Sequence, residues 1–126
     1  MYKNILEQVH QNKEDPGACF RTYLFPYNQI PPRSNIILYA AGAVGKAFYN
    51  QMSLSKYCNV ILWVDKKFEN LKATGMPVDA PSMISKIPYD YLILAVETEK
   101  QATEIKEELV QMNIDSSKII WQNPKL

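Results

Sequence analysis

The sequence predicts an α/β fold, a doubly wound parallel sheet of about five strands, on two observations. Short and nearly continuous apolar runs, typical of strands buried on both faces, recur along the chain. Segments with helical spacing of apolar residues lie between these runs. Strands that alternate with helices form right-handed crossovers and a parallel sheet, for which the expected strand order here is 3-2-1-4-5.

Five segments are predicted as strands. The first lies in the stretch 36–48, which is predicted as a strand, a tight turn and a helix. Residues 60–64 and 91–96 are the two other strongly apolar runs. Residues 76–78 are predicted as a short strand near a sheet edge, because Pro77 is tolerated there, and residues 118–121 as the last strand.

The helices follow from apolar spacing and from start signals. Val44, Phe48 and Met52 give one apolar face to the helix after the first strand. Thr98 and Gln101 have the spacing of a capping box and predict the start of the longest helix. A polar surface segment is expected at residues 66–75, and a short helix beginning at Pro81.

Residues 1–34 are predicted as a separate unit, an N-terminal helix followed by an aromatic, proline-rich wrap. Tyr2, Ile5 and Val9 lie on one face of that helix. The wrap carries four aromatic side chains, which are too costly to leave in water. It either caps the sheet or forms the contact with a homodimer partner or a catalytic partner domain.

The composition is that of an ordinary globular protein. Of 126 residues, 47% are hydrophobic and 21% are charged, which allows a buried core and excludes disordered and fibrous classes. Fourteen Lys and Arg oppose thirteen Asp and Glu, so no overall charge attracts nucleic acid or an anionic membrane. The two cysteines lack metal-ligand spacing, and no long apolar run suggests a signal or a membrane span. We therefore expect a cytoplasmic protein without a nucleic-acid partner.

The turn after the first strand has the spacing of the dinucleotide-binding fingerprint G-x-G-x-x-G, with alanine at its first position. Gly42 allows a ligand to approach the backbone, and Gly45 allows the helix to pack on the strand. The N–H groups of the turn and the helix start can then bind a phosphate. Residues 35–126 are therefore predicted to form a Rossmann-like nucleotide-binding domain. Its candidate phosphate-binding residues are Ala40, Ala41, Gly42, Ala43, Val44, Gly45 and Lys46.

Four further candidates lie where other strands end, at the same edge of the sheet. Asp65 follows the second strand roughly 20 residues after the turn, where an acid can accept hydrogen bonds from ribose hydroxyls. Asp65 repels a 2′-phosphate on the ribose, whereas Lys66 and Lys67 beside it attract one. The sequence therefore leaves open whether the ribose of the ligand carries this phosphate. Val96 and Glu97 end the fourth strand. Asp65 could instead begin a turn, and Glu97 could instead favour the start of the adjacent helix.

No complete catalytic set is visible in the sequence. His10 is the only histidine, and no Cys, His or carboxylate cluster has metal-ligand spacing. A convincing pair of nucleophile and base is absent, as is a Tyr-x-x-x-Lys pair. We therefore expect no metal and name no catalytic residue, and enzymatic activity stays open.

A resemblance to a known family is carried by five stretches, residues 25–32, 37–46, 63–66, 75–78 and 89–95. The chain resembles the Rossmann-like, nucleotide-diphosphate-sugar epimerase-like domains of bacterial surface-polysaccharide biosynthesis, and is similar to the nucleotide-binding domains of sugar acyltransferases and of membrane-associated sugar dehydratases. The resemblance implies a nucleotide or nucleotide-sugar ligand at Gly42, Gly45 and Asp65, and it implies that a catalytic domain often accompanies this one.

The expected function is thus a nucleotide-binding module with a nucleotide-sugar or NAD(P) as ligand. One alternative is an NAD-dependent sugar-nucleotide oxidoreductase or epimerase that acts with a partner. The other is an interaction or dimerisation module that binds no nucleotide.

Overall fold

Four parallel strands form the sheet of this protein, whose computed structural model describes residues 22–125. They are β1 (Asn35–Tyr39), β2 (Asn59–Val64), β3 (Tyr91–Leu94) and β4 (Ile119–Ile120). Their order is β2-β1-β3-β4, and all three neighbouring pairs are parallel. The prediction of an α/β fold with a parallel sheet is therefore confirmed.

Helices cover both faces of the sheet. The helix α1 (Ala43–Ser55) follows β1, the short helix α2 (Phe68–Ala73) lies within the expected polar surface segment, and α3 (Glu99–Gln111) follows β3. The capping box at the start of α3 is formed as predicted: Gln101 N donates to Thr98 Oγ1 over 3.2 Å, and Thr98 N donates to Gln101 Oε1 over 3.2 Å. Short 3₁₀ turns lie at Tyr27–Gln29, Pro81–Lys86 and Ser116–Lys118.

The side chains of β1 divide the core into two layers, because successive residues of a strand point to opposite faces. Ile36 and Leu38 pack in the cluster that contains α1. Ile37 and Tyr39 pack in the cluster that contains α3. All four side chains are buried, which explains why the first strand reads as a continuous apolar run. Within the described range, no helix is both long and apolar enough to span a membrane.

The expected third strand around residues 76–78 is absent as a strand. A single parallel bridge joins Val64 to Asp79 at the outer edge of β2. Pro77 has no N–H to donate, and Val78 N donates to Met76 O over 2.9 Å, so neither can extend a ladder. Residues 22–125 thus form a sheet of four strands, and the five-strand order is not confirmed.

Residues 22–34, which we call the strap, lie along α1. Phe25 is fully buried, and its ring centroid lies 5.5 Å from that of Phe48. The side-chain amide of Gln51 holds the strap backbone: its Nε2 donates to Tyr23 O over 2.6 Å, and its Oε1 accepts from Phe25 N over 3.2 Å. This part of the predicted wrap packs on the core. The predicted first helix lies outside the described residues, and a partner contact remains a prediction.

Candidate functional site

A cleft of about 480 Å³ opens at the carboxyl ends of β1 and β3, the two central strands. The chain runs from β1 to β2 on one side and returns to β3 on the other, so the strand order reverses at this point. Open α/β sheets bind their ligands at such switch points. The residues that line the cleft are Tyr23, Ala40, Gly42, Ala43, Val44, Ala95, Val96, Glu97 and Gln101.

The turn between β1 and α1 retains the backbone conformation that glycine would adopt, although alanine occupies its first position. Ala40 has φ of 93°, in the region that L-residues rarely occupy. Two hydrogen bonds hold it there: Ala40 N donates to Val64 O over 2.8 Å, and Trp63 Nε1 donates to Ala40 O over 2.9 Å. The turn thus holds a positive φ at its first position although the residue there is alanine.

Gly45 brings the first turn of α1 against the backbone of Ala40, just after the end of β1. A β-carbon at Gly45 would lie 2.1 Å from Ala40 O. By contrast, a β-carbon at Gly42 would meet no atom within 4 Å, and Gly42 has an ordinary φ of −83°. Gly45 is thus required by packing, while the space beside Gly42 is open to a ligand.

The first turn of α1 leaves its backbone donors free on the cleft side. Gly42 is the N-cap and supplies no side-chain hydrogen bond. Among residues 22–125, no acceptor is bound by the N–H groups of Ala43, Val44 or Gly45. Such groups, together with the helix dipole, favour an anion. Lys46 is exposed in the same turn but does not line the cleft.

Asp65 fastens the end of β2 to the glycine turn. Its Oδ2 accepts from Ala41 N over 2.8 Å, and its Oδ1 accepts from Lys67 N over 2.7 Å. Ala41 is buried, so its N–H needs a partner from the protein. Asp65 does not line the cleft. Its side chain therefore supports the turn, in addition to any role towards a ligand.

Replacing Asp65 with alanine is expected to lower the free energy of unfolding by about 2 kcal/mol, because two hydrogen bonds are lost and Ala41 N–H is left unsatisfied. Asp65→Asn is the matched control: it retains one acceptor oxygen, and its loss is expected to be about half as large. Urea unfolding at neutral pH measures both. An alanine variant as stable as the wild type would show that the turn does not depend on this carboxylate.

Lys66 is paired with α3 and does not line the cleft. Its Nζ lies 2.7 Å from Glu108 Oε1 in an ion pair with α3, and both side chains are about half exposed. An exposed pair of this kind contributes little to stability. The prediction that Lys66 lies near a ligand phosphate therefore has no support from this geometry.

Glu97 and Tyr23 meet in the part of the cleft that lies beyond the end of β3. The Tyr23 hydroxyl donates to Glu97 Oε2, although the two residues are far apart in sequence. Tyr23 belongs to the strap and is 7% exposed. Val96, just before Glu97, is held by Trp121, whose Nε1 donates to Val96 O over 2.9 Å. The strap thus contributes a polar side chain to a cleft that the sequence assigned to the sheet alone.

Tyr39, the last residue of β1, has a buried hydroxyl without a partner. The residue is 4% exposed, and its hydroxyl forms no hydrogen bond within the described part of the chain. Burial, together with the smaller effect of the nearby carboxylates of Glu108 and Asp65, raises the pKa of Tyr39 to about 12. The neutral phenol is therefore strongly favoured in the folded protein.

Tyr39→Phe is expected to raise the free energy of unfolding at pH 7 by about 1 kcal/mol, since it removes an unpaired buried hydroxyl. The raised pKa of Tyr39 has a further effect at high pH. An unfolded tyrosine loses its proton near pH 10. The native state still holds the proton there, so wild-type stability should fall relative to the variant as pH rises from 10 towards 12.

The expected relative loss is about 1.4 kcal/mol per pH unit above pH 10. Urea unfolding of both proteins between pH 9 and pH 11 measures it. A variant less stable than the wild type at pH 7, or parallel pH profiles, would show that the hydroxyl has a partner in solution.

The cleft brings together six of the eleven residues predicted for the site and leaves five outside it. Three of the five, Gly45, Ala41 and Asp65, support the turn without lining the cleft. The other two, Lys46 and Lys66, are exposed or partly exposed outside it. The six that line the cleft are Ala40, Gly42, Ala43, Val44, Val96 and Glu97.

Sequence reasoning did not assign Tyr23, Gln101 or Trp63 to the site. The one signal for Tyr23 is its residue type: a tyrosine that packs on the core needs a hydrogen-bond partner for its hydroxyl. Gln101 was recognised for its capping role alone. Trp63 stacks on Tyr49 at 4.4 Å between ring centroids and holds Ala40 O. The signal for Trp63 was a tryptophan inside a buried strand, because its N–H must find an acceptor.

No group of three or more His, Cys, Asp or Glu side chains is placed to hold a metal ion within residues 22–125.

The fold and the cleft define an α/β protein with a strand–turn–helix element and a cleft at the switch point of its sheet. The family model described as C2185-like, N-terminal, matches residues 33–120, and the chain belongs to this family. The matched range contains all four strands and every site residue predicted from the sequence, whereas Tyr23 of the strap lies outside it. No curated protein matches the chain.

Proposed function

We propose that this protein is a Rossmann-like nucleotide-binding module, with a nucleotide-sugar or NAD(P) as its ligand. The observation that carries the proposal is the first turn of α1, whose free N–H groups border a cleft at the switch point of a parallel sheet. The cleft volume of about 480 Å³ lies in the range of small-molecule sites. The proposed setting is bacterial surface-polysaccharide or sugar-nucleotide metabolism, which rests on the family resemblance.

The proposal includes the finer fold. The bridge between Val64 and Asp79 lies at the position where the third strand of a 3-2-1-4-5 sheet would pair with β2. We propose that residues 76–79 correspond to that edge strand, shortened by Pro77. This correspondence supports a Rossmann-like ancestry of the domain.

Isothermal titration calorimetry with UDP-glucose, UDP, NAD⁺ and NADP⁺ tests the proposal. We expect saturable heat with at least one of these ligands and a phosphate-dependent affinity, so that uridine or nicotinamide riboside binds much more weakly. Absence of heat and of any thermal shift with all four ligands would overturn nucleotide binding and favour an interaction module.

A second candidate is an NAD-dependent sugar-nucleotide oxidoreductase or epimerase that acts with a partner. The contact between the Tyr23 hydroxyl and the Glu97 carboxylate favours it, because this pair could exchange a proton with a hydroxyl in the cleft. Incubation with UDP-glucose and NAD⁺, followed by the absorbance of NADH and by chromatography of the sugar, tests for turnover. A sugar altered by the purified chain would favour the enzyme over the binding module.

A further inference from the structure

We infer that Glu97, oriented by Tyr23, selects the sugar that is attached to the ligand's phosphate, and that Asp65 does not. This inference rests on the proposed function, since it concerns the same cleft. It assigns recognition of sugar hydroxyls to the β3 side of the switch point rather than to the end of β2. The strap then forms part of the binding site.

Asp65 is a poor candidate for that role in this protein. Each of its carboxylate oxygens already accepts a backbone N–H, one from Ala41 and one from Lys67. The side chain does not border the cleft. Turning it towards a ligand would leave the buried Ala41 N–H without an acceptor.

Glu97 has the properties that Asp65 lacks. Its side chain borders the cleft and is half-buried. Tyr23 fixes one carboxylate oxygen, Oε2, while Oε1 accepts no hydrogen bond from residues 22–125. The fixed carboxylate can therefore accept hydrogen bonds from ligand hydroxyls at a low cost in side-chain entropy.

Tyr23 is itself held in place on both sides of its backbone. Gln51 Nε2 donates to Tyr23 O over 2.6 Å. On the other side, Tyr23 forms an antiparallel bridge with Lys125, and Leu24 N donates to Pro124 O over 2.8 Å. The strap is thus fixed against both α1 and the end of the described chain. Because Tyr23 cannot easily swing away, its hydroxyl gives Glu97 a defined orientation.

The charges on the two sides of the cleft set the direction of the ligand. The start of α1 attracts a phosphate, whereas the Glu97 carboxylate repels it and accepts from hydroxyls. A ligand with a phosphate at α1 therefore places a neutral, hydroxyl-bearing group against Glu97. The sugar next to the pyrophosphate of UDP-glucose, or the nicotinamide ribose of NAD⁺, is such a group.

Glu97→Gln tests this assignment, because glutamine keeps the size of the side chain and an acceptor for Tyr23 but removes the charge. Calorimetry compares UDP-glucose with UDP, and NAD⁺ with ADP, so that each pair differs by the sugar-bearing group. We expect the wild type to bind the full ligand of one pair more tightly, and Glu97→Gln to weaken that ligand about tenfold or more while its shorter counterpart is unchanged. Tyr23→Phe should act in the same direction, and Glu99→Gln, an exposed carboxylate outside the cleft, should have no effect.

The outcomes separate the two proposals. If UDP or ADP binds but Glu97→Gln leaves the full ligand unaffected, or weakens both members of a pair equally, this inference is overturned and nucleotide binding stands. If UDP-glucose, UDP, NAD⁺, NADP⁺ and ADP all fail to bind the wild type, both are overturned. Thermal unfolding of each variant verifies that the fold is retained. If Glu97→Gln does not fold, the same comparison of full and shorter ligands is made with Tyr23→Phe, and that variant then decides the test.

Discussion

Replacing Gly45 with alanine is expected to lower the free energy of unfolding by about 3 kcal/mol or more, enough to unfold much of a marginally stable protein. The added β-carbon would lie 2.1 Å from Ala40 O and 2.9 Å from Ala40 C. Both atoms belong to the backbone, so no side-chain rotation can relieve the contact. Either α1 must move off the sheet or the turn must change conformation.

The turn resists such a change because the Ala40 carbonyl is itself held by a hydrogen bond. Trp63 Nε1 donates to Ala40 O over 2.9 Å, and the Trp63 ring is stacked on Tyr49. Moving Ala40 O away from Gly45 therefore also disrupts this partly buried hydrogen bond.

Urea unfolding of Gly45→Ala measures the loss, and Gly42→Ala is its matched control. The control makes the same substitution three positions earlier, where a β-carbon meets nothing within 4 Å and φ is −83°. We expect the control to unfold within about 0.5 kcal/mol of the wild type. Equal stabilities of the two variants would contradict the close contact between α1 and the end of β1.

Replacing Gly42 with aspartate is expected to abolish nucleotide binding while the fold is retained. Aspartate is a preferred N-cap residue, and its carboxylate would accept a hydrogen bond from the free N–H groups of the first turn of α1. It would thereby occupy the proposed phosphate position with a negative charge. The affinity for UDP-glucose or NAD⁺ should fall about 100-fold or more, because both the donors and the favourable charge are lost.

The same substitution should leave stability unchanged or raise it by about 1 kcal/mol through capping. This opposite effect on binding and on folding distinguishes it from an ordinary destabilising variant. Calorimetry and urea unfolding on one preparation measure both. Gly42→Ala, which adds a methyl group without a carboxylate, should weaken binding much less. Wild-type affinity of the aspartate variant would place the ligand away from α1.

The sequence was sufficient to predict those parts of the fold that depend on local patterns. The apolar runs of β1, β2 and β3 and the capping box at Thr98 are present in the structure. Periodicity and start signals operate over a few residues, so a single sequence contains them. The strand expected around Pro77 failed for a local reason as well, since proline cannot donate to a ladder.

The candidate site was less predictable because it depends on contacts between distant residues. Nothing near Asp65 indicates that its carboxylate accepts from Ala41 N rather than facing a ligand. Nothing near Tyr23 indicates that the strap brings it to Glu97. Such contacts arise from packing in three dimensions, and a fingerprint of spaced glycines contains no information about them.

The tryptophans give the cleft an optical signal. Trp63 and Trp121, the two in the sequence, donate from Nε1 to Ala40 O and Val96 O, which belong to cleft residues on its two sides. Indole emission responds to the polarity and hydrogen bonding around the ring. Intrinsic fluorescence can therefore follow occupancy of the cleft without a label, with single Trp63→Phe and Trp121→Phe variants assigning the response to the β1 side or the β3 side.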